Sequence, residues 1–302
     1  MIKSENEKKL KGVIPAIIVP LAKDGQIDRD SLIKQTDYLS SAGVHGFFIN
    51  GTTGEGPWLS IEEKKKVYQI VKQTKKKHQF LCAACIRPST EMVLKEIEIF
   101  SDLKPDYIVA VTPYYYSVSQ DDILYHFIKI AKESPVPVIV YHIPQNTNNN
   151  ITLTTVLELA NIENIAGVKD SSGNFVNFSR GCLSQVPSHF SWIQGEDYLD
   201  AAAMNIGADG MVTGLGNVYI EPYIEMYQAA LSNDLKKVNN MQEKINSIYE
   251  IIQVTDIKVI PSIKGALSLI GRSDKWMKMV SKTLSNKEID KVKEILKNMG
   301  LL

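Results

Sequence analysis

Ile165-Ala166-Gly167-Val168-Lys169-Asp170 is an apolar run that ends abruptly in a charged pair. Apolar residues in succession, without polar alternation, read as a strand covered on both faces, as in a parallel sheet. A helical pattern follows over Asn174–Ser184, and the next short run with strand character is Ser191–Gln194. Strand, helix and strand in this order make a βαβ unit, whose crossover sets the two strands parallel.

The same unit repeats outward in both directions. Further strands are expected at Val13–Val19, Gly46–Asn50, Phe80–Ile86, Tyr107–Thr112, Val136–Ile143 and Gly210–Thr213. Helical patterns cover Asp30–Ala42, Ser60–Lys77, Ser89–Asp102, Gln120–Glu133, Leu153–Asn161, Asp197–Asn205 and Tyr219–Ser232. Eight strands, each followed by a helix, is the composition of a (β/α)8 TIM barrel. A doubly wound sheet is the competitor, because alternation alone does not close a barrel. Ser60, three residues before Glu63, suits a helix start, and Asp30 or Ser31 is expected to cap the helix that begins before Leu32. Pro105, Pro135 and Pro187 fall where a helix must stop ahead of the next strand. Beyond Ser232 the patterns are helical only: Asp234–Gln253, Lys258–Ile270 and Asn286–Asn298. The expected division is a barrel over residues 1–232 and a C-terminal helical domain over 233–302, without a low-complexity linker.

Composition narrows the function. The chain has 302 residues, 44% of them hydrophobic, and its 34 basic side chains balance 34 acidic ones. Zero net charge offers nothing to a nucleic acid or a membrane surface. The basic runs Lys64–Lys66 and Lys75–Lys77 read as the solvated outer face of a helix. No apolar stretch is long enough to span a bilayer. The start, MIKSENEKKL, has no apolar segment and reads as a polar lead-in rather than a secretory signal. Three cysteines do not make a disulfide framework and suit a reducing cytoplasm. Cys82 and Cys85 form a CxxC on a strand, where this spacing points the two side chains to opposite faces. They read as two small buried hydrophobes, with no second CxxC to complete a zinc site.

In a barrel, the carboxyl ends of the strands converge on one mouth. The second strand leads there into Gly51-Thr52-Thr53-Gly54-Glu55-Gly56, the fourth into Thr112-Pro113-Tyr114-Tyr115-Tyr116, and the fifth into Tyr141-His142-Ile143-Pro144. The seventh leads into Gly195-Glu196-Asp197 and the eighth into Thr213-Gly214-Leu215-Gly216-Asn217. Lys169 is the outlier, a lysine at the end of a buried strand. Desolvation there frees an amine lone pair for attack on a carbonyl. The bland alternative is an ion pair with Asp170 or Glu196. Tyr141 ends the neighbouring strand and supplies a hydroxyl able to move protons near an imine carbon. Its own bland alternative is a core aromatic with a tied hydroxyl. The Gly51–Gly56 segment matches no nucleotide motif, and no GxGxxG follows a strand, which disfavours a dinucleotide-binding reductase. The glycines of this segment would let backbone N–H groups approach a small carboxylate, beside two threonine hydroxyls.

Taken together, GTTGEGP (Gly51–Pro57), TPYY (Thr112–Tyr115), YHIP (Tyr141–Pro144) and GVKD (Gly167–Asp170) resemble the dihydrodipicolinate synthase and N-acetylneuraminate lyase superfamily of class I aldolases over nearly the whole chain. The resemblance implies a barrel with a C-terminal helical extension, assembled as a homotetramer of tight dimers. It implies that Lys169 forms a Schiff base with pyruvate and that Tyr141 shuttles protons over it. Thr53 would relay protons to Tyr141, and Tyr115 would complete the relay in a neighbouring subunit. Thr52 and the backbone at Gly51 would hold the pyruvate carboxylate, with Gly195, Val212 and Asn146 as further substrate-binding positions. No metal or organic cofactor is expected, since the lysine imine is itself the electron sink. The synthase branch has an arginine after its YN(V/I)P segment, where this chain has Asn146. Asparagine cannot replace a fixed cation for a substrate carboxylate. Gly214 stands where the lyase branch has a serine. Together with GTTGEGP, GVKDSS and Gly216-Asn217, these departures lean the expectation toward cleavage or formation of a 2-keto-3-deoxy sugar acid from pyruvate and an aldehyde. The alternatives are dihydrodipicolinate synthase or N-acetylneuraminate lyase activity, or a catalytically silent keto-acid-binding homologue. A phosphorylated substrate would call on Arg87 or Arg180.

Overall fold

Among the described residues, eight strands and twelve α-helices follow one another, alternating through most of the chain and purely helical after β8. The strands are β1 (Gly12–Pro15), β2 (Gly46–Ile49), β3 (Phe80–Ala84), β4 (Tyr107–Val111), β5 (Val138–His142), β6 (Ile165–Asp170), β7 (Ser191–Gln194) and β8 (Gly210–Thr213). The helices are α1 (Arg29–Ala42), α2 (Ile61–Thr74), α3 (Thr90–Ser101), α4 (Gln120–Glu133), α5 (Pro144–Thr147), α6 (Leu153–Ala160), α7 (Phe175–Cys182), α8 (Asp200–Asn205), α9 (Glu221–Leu231), α10 (Leu235–Gln253), α11 (Val259–Leu269) and α12 (Asn286–Asn298). They come from a computed structural model that describes residues 9–278 and 282–302; most of the expected polar lead-in lies outside the described residues. The strands form one sheet in the order β1-β8-β7-β6-β5-β4-β3-β2. A parallel bridge between Ala16, just past β1, and Phe48 in β2 joins the two ends of that order. This is a (β/α)8 barrel with additional C-terminal helices, as expected from the alternation.

Two compact units make up the described chain: residues 9–12 with 85–211, and residues 13–84 with 212–302. The first holds β4–β7 and α3–α8, and its strands are buried along almost their whole length. A register shift between Val138 and Ile139 sets Tyr141 opposite Lys169 and His142 opposite Asp170. On the other side of β6, Gly167 lies so close to β7 that a Cβ would sit 2.4 Å from the Ser191 carbonyl oxygen. Only glycine permits that approach.

The second unit holds β2, β3, α1, α2 and α9–α12. The Ser60–Glu63 capping box starts α2 as expected, satisfying two otherwise orphaned N–H groups. The cap of α1 differs from expectation: Asp28, not Asp30 or Ser31, accepts the Ser31 N–H at 3.1 Å. Strand β1 is also shorter than its apolar run, because Ala16–Val19 is a buried connection that pairs at single points instead of in a ladder. Lys64 corrects the reading of its basic run. It is fully buried, sharing the inner face of α2 with Val67, Tyr68 and Val71 at helical spacing. Beyond residue 232, α10 packs against α9 and α12 against α11, all within this same unit.

Candidate active site

In the first unit, the ends of β5 and β6 bring Lys169 and Tyr141 together as expected. The Lys169 Nζ lies 3.8 Å from the centroid of the Tyr141 ring, and both residues are buried. Asp170, one expected ion-pair partner of Lys169, faces His142 instead, at 3.4 Å from Nδ1, and accepts the Ser172 N–H at 2.8 Å. Gly195 follows β7 beside the lysine. A Cβ there would meet the Ser171 Oγ at 2.3 Å and the Lys169 Cε at 3.0 Å, so this glycine keeps open the space next to the amine. Its N–H donates to the Asp170 carbonyl at 2.8 Å, which ties the β7 turn to β6.

The residues that follow form an acidic cluster. Burial, with Asp197 adding to it, pushes the Glu196 carboxyl up to about 7. Asp200 is raised well above the ordinary carboxylate range, first by burial and then by Asp197 and Glu196. Near neutrality this cluster therefore carries protons as well as charge, and can both donate and accept hydrogen bonds.

Tyr115 and Tyr116 stand out to solvent on the loop after β4, 81% and 74% exposed. Tyr115 has φ 81°, a left-handed conformation that costs a bulky residue about 1–3 kcal/mol. Asn149 holds this loop: its Nδ2 donates to the carbonyls of Pro113 and Tyr116, each at 2.8 Å, and its Oδ1 accepts the Val118 N–H at 3.0 Å. Sequence reasoning missed Asn149, and the run Asn148-Asn149-Asn150 after β5 was its only trace. Asn146 is exposed on α5. Arg87 pairs with the buried Glu96 rather than standing free for a phosphate, and Arg180 is exposed in the last turn of α7.

The second unit contributes the Gly51–Gly56 loop. Asn50 and Glu55 both take left-handed conformations, with φ 60° and 54°. The Glu55 N–H returns to the Thr52 carbonyl and the Gly56 N–H to the Gly51 carbonyl, each at 3.0 Å. A Cβ at Gly56 would fall 1.7 Å from the Asn50 carbonyl oxygen, so the coil closes only around glycine. Thr52 and Thr53 are half-buried on it. Glu55 carries the loop's anchor: Lys264 on α11 lies 2.5 Å from its Oε1, and the same ammonium donates to the Trp276 carbonyl at 2.7 Å. Burial lowers the Lys264 pKa, and Glu55 opposes that shift. This pair was also missed, although a lone lysine in the apolar run of α11 is the kind of signal that singled out Lys169. Gly214 faces Thr53, its absent Cβ being 3.1 Å from the threonine Oγ1, so a serine there would crowd that hydroxyl. Val212 is buried in β8. Asn217, read as a substrate-branch signal, is structural: its amide joins Ala16, Ile18 and Gly214.

Among the described residues no group of His, Cys, Asp and Glu is arranged to hold a metal ion. Cys82 and Cys85 are both buried, as expected. No helix among the described residues is long and apolar enough to cross a membrane.

The Dihydrodipicolinate synthetase family profile matches residues 9–299. The chain is 31% identical over 294 residues to a 4-hydroxy-tetrahydrodipicolinate synthase of Archaeoglobus fulgidus, covering 97% of this chain and 99% of that one. It is likewise 31% identical to a 4-hydroxy-tetrahydrodipicolinate synthase of a Hydrogenobaculum species, covering 97% and 100%. Among solved structures, a chloride-inhibited dihydrodipicolinate synthase from Acinetobacter baumannii, complexed with pyruvate, superposes with a TM-score of 0.88 at 26% identity, over 97% of this chain and 99% of that one.

Proposed function

The chain belongs to the dihydrodipicolinate synthetase family, and from that premise we propose that it is a Schiff-base-forming class I aldolase acting on pyruvate and an aldehyde. The observation that carries this reading is the Lys169 amine lying over the Tyr141 ring at the ends of adjacent strands. In condensation, the amine adds to C2 of pyruvate and water leaves, giving an iminium. Loss of a C3 proton gives an enamine, which attacks the aldehyde carbonyl, and hydrolysis then restores the lysine. Cleavage runs the same steps in reverse, with an aldehyde leaving as the C3–C4 bond breaks. The iminium supplies the electron withdrawal for either direction.

Tyr141 is assigned to move protons over the imine, with Thr53 and Tyr115 as its relay. Thr52 and the backbone at Gly51 are assigned to the pyruvate carboxylate, and Gly195, Val212 and Asn146 to the walls of the substrate space. The exposure and strained backbone of Tyr115 support a second copy of the chain covering it, within a homotetramer.

For the aldehyde, the names of the relatives favour the 4-hydroxy-tetrahydrodipicolinate synthase reaction. Asn146 favours a second reading. A neutral side chain holds a substrate carboxylate poorly, and the acidic cluster at Glu196–Asp200 suits hydroxyl groups, so a 2-keto-3-deoxy sugar acid is the alternative. Borohydride reduction in the presence of pyruvate tests the chemistry: an adduct mass is expected on Lys169, and no adduct, or one on another lysine, overturns it. Formation of 4-hydroxy-tetrahydrodipicolinate against turnover of a panel of 2-keto-3-deoxy acids separates the two readings. An adduct without any turnover would instead support a silent keto-acid binder.

A further inference from the structure

Behind the Lys169–Tyr141 pair lies a second pair on the opposite face of the same two strands. We infer that His142 is a positioning residue whose two ring nitrogens link the Schiff-base strand to the tyrosine loop, an inference that rests on the imine reading above. Successive residues of a strand point to opposite faces. Tyr141 and Lys169 therefore share one face, and His142 and Asp170, in register with each other, share the other.

The two ring nitrogens of His142 have different company. The Nδ1 faces the Asp170 carboxylate at 3.4 Å. The Nε2 faces two groups with opposite demands, each at 3.1 Å: the Ile151 N–H, which needs a lone pair, and the Asn150 Oδ1, which needs a proton. A neutral imidazole protonated on Nδ1 satisfies Asp170 and Ile151. The other tautomer, protonated on Nε2, would donate to Asn150 and leave Ile151 without its acceptor.

That segment adjoins Asn149, which carries the loop of Tyr114–Tyr116 through its three hydrogen bonds. The neutral ring holds the Ile151 backbone, keeps Asn149 in place and so steadies the loop that bears Tyr115. On the strand side, Asp170 accepts the N–H of Gly195, the residue beside Lys169, on its backbone carbonyl. The charge facing His142 comes from Asp170 on β6. Near Asp170 on α7 is the Cys182 thiol, which burial first, then Asp209 and Asp170, push up to about 12, so it stays protonated.

The test uses pyruvate alone. Exchange of its methyl protons in deuterated water, followed by proton NMR at pH 8, reports enamine formation, and borohydride trapping runs in parallel. His142→Leu should exchange about tenfold to a hundredfold more slowly than wild type, with trapping on Lys169 still complete. His142→Asn, whose amide can donate to Asp170 and accept from Ile151, should recover most of that exchange. Wild-type exchange in His142→Leu, or exchange in His142→Asn as slow as in His142→Leu, overturns the inference. If His142→Leu does not fold, Asn149→Ala, which releases the tyrosine loop from the same tie, should slow exchange with trapping complete, and wild-type exchange there overturns the inference instead. A wild type that neither traps nor exchanges would sink the imine reading itself, whereas normal trapping with indifferent His142 variants would sink only this one.

Discussion

Lys169 and Lys264 are both buried lysines in apolar surroundings, one at the end of β6 and the other inside α11, where every residue from Ile260 to Leu267 is buried. Their partners separate them. The Lys264 ammonium is held between the Glu55 carboxylate and the Trp276 carbonyl. The Lys169 amine lies over an aromatic face, and Gly195 leaves space beside it. A ring face attracts an ammonium by about 0.5–2 kcal/mol. A carboxylate in contact in a dry interior holds it far more strongly. Burial marks a lysine as unusual; the partner decides whether a carbonyl can compete for its nitrogen.

The sharpest way to break that contrast is to remove each lysine in turn. Lys169→Ala should trap no pyruvate and turn over nothing, while its thermal midpoint does not fall. Lys264→Met should leave Glu55 buried without its ammonium partner and cost about 3–5 kcal/mol in urea unfolding. The folded fraction of that variant should still trap pyruvate on Lys169. A folded Lys264→Met that cannot trap, or a Lys169→Ala that loses stability to the same extent, would show that the two lysines do not divide the work in this way.

Tyr141→Phe sharpens the same contrast from the side of the ring. It keeps the aromatic face under the amine and removes only the hydroxyl. The adduct should therefore still form, while steady-state turnover falls about 10²–10⁴-fold, the range for loss of a positioned proton donor. Turnover at the wild-type rate would reduce Tyr141 to a platform and move the proton transfer to another group.

The contrast also explains what could be read from the sequence. Lys169 stood out in the sequence because a charge at the end of an apolar strand calls for either an ion pair or a reactive amine, and Tyr141 at the next strand end favoured the second; the structure adds their burial and contact. Lys264 sends the same local signal, but its partner is Glu55, more than two hundred residues away in the chain, and no local pattern pairs them. Lys64 was misread because three consecutive lysines suggest one solvated face, although in a helix they point three ways and the first falls on the buried stripe. The strand ends around the candidate site were placed to within a residue or two, since burial on both faces leaves a strong apolar signal. The Asn149 clamp and the left-handed Asn50 were not, because asparagine suits turns, caps and side-chain clamps equally well. Asp28 was passed over for the nearer Asp30, a two-residue ambiguity that only the cap's hydrogen bond resolves.

Glu196 extends the lesson to a buried acid, with the smallest expected effect. Its carboxyl is raised from the ordinary 4.5 to about 7, chiefly by burial, with Asp197 adding to it. Below the lower value both folded and unfolded chains hold the proton, and folding is indifferent to pH at this site. Between the two values the folded chain keeps a proton that the unfolded chain has released, so stability falls as pH rises through that window. Above about 7 the folded carboxylate is ionised too, and the full cost of its environment remains. Glutamine mimics the neutral form at every pH. Glu196→Gln should therefore match the wild type at pH 4 and unfold at higher denaturant at pH 8. For a half-buried carboxyl, whose shift solvent screening discounts, the gain should be about 1–2 kcal/mol. An advantage that is constant with pH would trace to packing instead. One that shrinks as pH rises would mean that Glu196 is stabilised as a carboxylate, and would make it the acidic counterpart of Lys264 rather than of Lys169.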